Sequence, residues 1–151
     1  MLNRISDNCI MTKKKRKLTR SKMLQVKTTY TPNGSTLDND RATVKIGMQE
    51  GEFHAYEFFL GALSACFQAT LADILIKRKL EIPTMEIIVT GEKRKETPTT
   101  LEWTKMDITV FGEVDEEKFL RSVDLAAKYC SIHTTISKVA TMTHEVKFRR
   151  S

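Results

Sequence analysis

From Tyr56 to Lys79 the chain runs without a proline, and Phe59, Leu63, Cys66, Ala69 and Thr70 recur along it at three- and four-residue spacing. That is the period of one face of a helix. A helix of this length spans a small domain from side to side, so the rest of the chain has to be arranged around it. Its flank of small residues, Gly61, Ala62, Ser64 and Ala65, lets a sheet or a partner helix approach closely. Lys77, Arg78 and Lys79 fall in the last turn, where positive charge meets the negative end of the helix dipole. Pro83 prevents continuation.

On both sides of this segment the period changes to two. Leu24, Val26, Thr28 and Tyr30 alternate with polar neighbours, Thr31 to Ser35 reads as a turn around Pro32-Asn33-Gly34, and Ala42, Val44, Ile46 and Met48 alternate again. An antiparallel meander therefore opens the domain. Beyond Pro83, Met85, Ile87 and Val89 pair with Met106, Ile108 and Val110 across a charged turn from Glu92 to Pro98. Asp115, followed by Glu116 and Glu117, is a helix start, with Phe119, Val123 and Ala126 or Ala127 as the apolar stripe. Ile132, Ile136 and Val139 or Ala140 fit one more short helix, and Met142, His144, Val146 and Phe148 close the chain as a strand. Segregated strands and helices of this kind indicate an α+β fold in one domain, residues 24–151.

With 151 residues and 40% apolar side chains, one core can form without metal or disulfide support. No uninterrupted apolar run approaches the ~20 residues of a membrane helix, so no membrane association is expected. The net charge of +6 suggests nucleic acid, but eight of the 25 basic residues and one of the 19 acids lie in residues 1–23. The remaining 17 bases and 18 acids leave the domain nearly neutral. The basic run Lys13 to Lys17 with Arg20 and Lys22 repels itself and reads as a solvated, disordered tail, with transient attachment to RNA or an acidic surface as the alternative. Met11, ahead of that run, is a second candidate start. No apolar stretch for a secretory signal follows, so the expected location is the cytoplasm.

Cys9, Cys66 and Cys130 are too few and too scattered for a disulfide framework, which leaves thiol chemistry or inert burial. Cys66, in the middle of the long helix, reads by itself as a small core residue, and a reactive thiolate there would need a cation brought from elsewhere. Cys130 stands at a helix junction. In the first turn of the following helix its thiolate would gain from unpaired N–H groups, with His133 adding charge. Cys130 and His133 have no second ligand pair, so no metal site is expected.

Tyr56-Glu57-Phe58-Phe59-Leu60-Gly61-Ala62-Leu63-Ser64-Ala65-Cys66 resembles the Glu-x-Leu-Leu-x-Ala-x-x-x-x-Cys signature of the OsmC/Ohr family of osmotically inducible and organic hydroperoxide resistance proteins. Lys128-Tyr129-Cys130-Ser131-Ile132 is similar to the family's second cysteine motif, and the flanking pattern is that of the general OsmC-like branch. The resemblance implies an intertwined homodimer in which an antiparallel sheet wraps around the central helices. It implies a peroxidase that reduces organic hydroperoxides, possible hydrogen peroxide activity included, with Cys66 as peroxidatic and Cys130 as resolving thiol. A cellular dithiol would serve as reductant, and no cofactor is required. Glu57 takes the motif's Glu position, and its family role is to hold an arginine beside the thiolate. A helix-start acid is the other reading of Glu57, because nine residues place it on the far side of an ideal helix from Cys66. Arg41 is the candidate arginine, with Lys27 and Lys45 as alternative cations.

A different class of function stays open at this point. The same fold could bind an apolar small molecule without peroxidase turnover. Phe53, Phe58, Phe59 and Phe67 would line a pocket in either case, unless they are plain core.

Overall fold

The computed structural model describes residues 24–150. The basic tail, with Cys9, lies outside the described residues.

The opening meander has three strands, β1 (Lys27–Thr31), β2 (Gly34–Asp38) and β3 (Thr43–Ile46). The middle one was missed in the sequence, where Gly-Ser-Thr-Leu-Asp has little strand propensity. Its backbone becomes a strand because it is paired on both sides, Thr31 opposite Gly34 and Ser35 opposite Ile46. The two-residue turn at Pro32-Asn33 delivers it at Gly34, whose φ of 134° is readily reached only by glycine. At the next corner Asn39 Oδ1 accepts from the Arg41 and Ala42 N–H groups, an Asx turn.

The long helix is α1 (Ala55–Lys77). His54 caps it, accepting from the Tyr56 N–H, while the Glu57 carboxylate accepts from the His54 N–H at 2.7 Å. Its buried stripe is Leu63, Phe67, Leu71 and Leu75, each fully buried. The spacing of four along that edge corrects the expected stripe through Cys66 and Ala69, which lie to one side of it. Each of these side chains contributes about 1.5–3 kcal/mol through burial. By length and composition α1 alone among the described residues could cross a membrane. Gln68 and Asp73 interrupt the segment, so its uninterrupted apolar runs stay short while the mean hydropathy of the window is high. In the fold its leucine edge belongs to the core.

Strands β4 (Thr84–Lys93), β5 (Leu101–Phe111) and β6 (Thr141–Arg149) form a second sheet in that order. β4 and β5 are antiparallel, as expected, but β6 runs parallel to β5, from Trp103 opposite Thr141 to Phe111 opposite Arg149. A parallel neighbour needs a long crossover, and α2 (Glu116–Tyr129) and α3 (Ser131–Ile136) provide it. On the central strand Thr104, Met106, Ile108 and Val110 are buried in strict alternation, facing the α1 stripe and Phe119, Val123 and Ala126 of α2 in one core. Asp115 caps α2 through the Lys118 N–H. The Arg78 guanidinium at the end of α1 donates to the Lys118 carbonyl at 3.0 Å and the buried Ser122 hydroxyl at 2.7 Å, tying α1 to α2.

A paired-thiol site at the start of the third helix

Cys66 leaves α1 on the side that meets α3. Cys130 is the residue between α2 and α3: its N–H closes α2 onto the Ala126 carbonyl at 2.8 Å, and its carbonyl accepts the Thr134 N–H of α3 at 2.9 Å. Backbone hydrogen bonds to both helices fix the residue, and its side chain is buried. The Cys130 sulfur lies 3.2 Å from that of Cys66. The two thiols differ in access, since Cys66 is partly exposed and Cys130 fully buried.

The start of α3 divides its donors between the sulfurs. Cys130 accepts the His133 N–H at 3.4 Å as the helix cap. Burial pushes the Cys66 thiol up, but the Ile132 N–H, the Cys130 thiol, and the hydroxyl and N–H of Ser131 outweigh it, and Cys66 falls below its ordinary value. Burial raises Cys130 and the negative charge on Cys66 adds to that, against a partial offset from the His133 N–H. The expectation is thus inverted: the helix start favours the thiolate of Cys66 across the interface, while Cys130 keeps its proton. Nor does His133 supply a cation, because burial and the neighbouring His144 both hold its imidazole below the ordinary value. Sequence alone could place a helix start at Cys130, but the direction in which its N–H groups point depends on how α3 packs against α1.

The profile of the family described as "OsmC-like protein" matches residues 47–145, which include both thiols. The chain belongs to the OsmC-like family. Protein YhfA of Escherichia coli (strain K12) is 30% identical to it over 90 residues, 58% of this chain and 67% of that protein. Among solved structures, the OsmC like protein from Mycoplasma pneumoniae superposes with a TM-score of 0.76 at 16% identity, covering 85% of this chain and 99% of that one. The organic hydroperoxide resistance protein OhrB of Bacillus subtilis gives 0.63 at 18% identity, covering 82% and 98%. At these identities the structures establish the OsmC-like fold.

The two remaining candidates for an OsmC-like site stand apart from the sulfurs within one chain. Glu57 is the capping-box acid and lines an open cleft of about 560 Å³ between α1 and β4, with Leu60, Ser64, Gln68, Met85, Ile87 and Val89. Arg41 sits at the β2–β3 corner, exposed, with Asp40 at 3.7 Å. Of the four phenylalanines, Phe67 is core, the Phe53 and Phe58 rings lie 5.3 Å apart and tilted at 45°, and the exposed Phe59 stands edge-on to Tyr56. Phe59 is two turns before Cys66 on the same helix side. Among the described residues, no group of three or more His, Cys, Asp or Glu side chains could hold a metal.

Proposed function

We propose that this OsmC-like protein is a thiol-dependent peroxidase for organic hydroperoxides, in which Cys66 is oxidised and Cys130 resolves it. The observation that carries the reading is the sulfur pair, 3.2 Å apart, with the accessible thiol biased toward the thiolate and the buried one toward the thiol. The Cys66 thiolate attacks the terminal oxygen of the hydroperoxide, the O–O bond breaks, and the alkoxide leaves and takes a proton from water as the alcohol. Sulfur loses two electrons and becomes the sulfenic acid. The Cys130 thiol then displaces that hydroxyl as water, forming a disulfide. The sulfurs need to close by only ~1.2 Å to reach the ~2.05 Å of an S–S bond. A cellular dithiol restores both thiols by exchange. The exposed apolar ring of Phe59, on the Cys66 side of the helix, supports an alkyl peroxide rather than hydrogen peroxide as the substrate.

The working unit in this reading is a homodimer. Only 22% of the most apolar window of α1 is buried within one chain, and every residue of β1 is exposed. A second copy laid against α1 and the first sheet would cover these surfaces, and Glu57 and Arg41 would then serve the thiol of the other copy.

Reduced protein is treated with one equivalent of cumene hydroperoxide and mapped by mass spectrometry while peroxide loss is followed. A rapid Cys66–Cys130 disulfide with peroxide consumed is the expected result. Two thiols that stay reduced would overturn the peroxidase reading, and the cleft of Leu60, Met85, Ile87 and Val89 would then support the binding of an apolar small molecule.

A further inference from the structure

Ser131 is the residue after Cys130, and its Oγ lies 3.8 Å from the Cys66 sulfur. Its position is set from several directions. The preceding Cys130 is bonded to both helices and accepts the His133 N–H, and the Ser131 carbonyl accepts the Thr135 hydroxyl at 2.9 Å. Ser131 itself is exposed, whereas Cys130 is buried, so the Cys66 sulfur has a thiol behind it and a hydroxyl at its solvent side. A hydroxyl can donate one hydrogen bond, and a thiolate can only accept. Among the described residues of one chain this sulfur meets neutral donors: the Cys130 thiol, Ser131 and the Ile132 N–H. No cation stands among them. With the Cys130 proton needed for the resolving step, the Ser131 hydroxyl is the side-chain donor of the same chain that can stay with the sulfur throughout.

We propose that Ser131 is a further catalytic residue of this site, its hydroxyl donating to the Cys66 sulfur and holding it as the thiolate until the peroxide oxygen is captured. This rests on the peroxidase reading and adds to it the residue that tunes the nucleophile. No proton leaves Ser131, which remains a neutral hydroxyl. The long oxygen-to-sulfur distance is that of a resting site, and such contacts tighten as charge localises.

Removing the donor raises the fraction of protonated Cys66 near neutral pH. For every unit the thiol rises, the thiolate falls tenfold and its intrinsic nucleophilicity grows ~3-fold, leaving a net loss of about 3–4-fold in rate. The test follows alkylation by iodoacetamide at Cys66 against pH, resolved peptide by peptide in the mass spectrometer, in the full chain and in Ser131→Ala and Ser131→Thr. Ser131→Ala is expected to move the Cys66 midpoint upward and slow peroxide oxidation several-fold near pH 7, with the gap closing above the midpoint. Ser131→Thr, which keeps the hydroxyl, is expected to restore both. An unchanged midpoint in Ser131→Ala, or a slowing that persists equally at high pH, would overturn the proposal. The alkylation readout uses no peroxide, so an upward midpoint supports Ser131 even where peroxide consumption, and the peroxidase reading with it, fails.

Discussion

Glu57 and Cys66 leave the same helix in opposite directions, Glu57 toward the cleft beside β4 and Cys66 toward Ser131 and Cys130. Nine residues at ~100° each amount to two and a half turns. The carboxylate that the family motif pairs with the thiol therefore cannot reach it in one chain.

This relationship predicts complementation. If the proposed dimer forms, Cys66→Ser and Glu57→Gln are each expected to lower turnover when expressed alone, and co-expressed chains are expected to regain part of it, because a mixed dimer would hold one site with both groups intact. The check is peroxide consumption by the purified mixture, beside its mass by light scattering. A monomer, or a mixture no better than its parts, would show that Glu57 serves only as the helix cap.

Removing Cys130 would separate the two half-reactions of the proposed cycle. In Cys130→Ser a single equivalent of peroxide is expected to leave Cys66 as a sulfenic acid that dimedone traps, with turnover falling to one event per chain. Continued turnover without Cys130 would remove it from the mechanism.

The proposed peroxide oxidation would have a defined pH dependence. Because Cys66 lies below its ordinary value, the rate is expected to rise with pH, fall about tenfold per unit on the acid side, and level off before an ordinary thiol would have ionised. Stopped-flow rates between pH 5 and 9 give the midpoint, and a midpoint at or above that of free cysteine would contradict the arrangement of α3.

His133 gives a stability signature of opposite origin. Burial and His144 depress its folded value, so between the folded and unfolded values the unfolded chain binds more protons. Stability then rises with pH in that window, and is lost as pH falls below the unfolded value of about 6.5. Urea midpoints for His133→Gln should decline less steeply than wild type below that pH. Parallel curves would show that the imidazole titrates alike in both states.

Core and site differ in mutational cost. Phe67→Ala is expected to destabilise by about 3–5 kcal/mol, since the ring is fully buried. Cys66→Ser, on the flank of the same helix, should cost about 1 kcal/mol or less while abolishing oxidation at that position. Denaturant titration of both variants checks the contrast.

The sequence displayed those parts of the molecule that local chemistry decides. The extent of α1, the Asp115 cap, the β4–β5 hairpin and the junction at Cys130 all follow from period, charge and capping residues within a few positions. The central strand β2 did not, because its pairing on both sides outweighs the weak propensity of Ser35 and Asp38. Phe67, Leu71 and Leu75 were displaced from the expected stripe because a helix so apolar all round gives no local sign of which edge faces the sheet. Cys66 and Cys130 were legible through the family motif. The donors around Cys66 were not, since Ser131 and Ile132 reach it across 65 or more positions of chain and only the packing of α3 on α1 brings them there.

The parallel alignment of β6 beside β5 reaches beyond architecture. Until Thr141–Arg149 has docked, the crossover that contains both α2 and α3 is tethered at one end only, and closing it is a non-local event of the kind that slows folding. The sulfur pair, a contact across 64 positions of chain, belongs to the same class of late, non-local contact as the strand that closes the sheet.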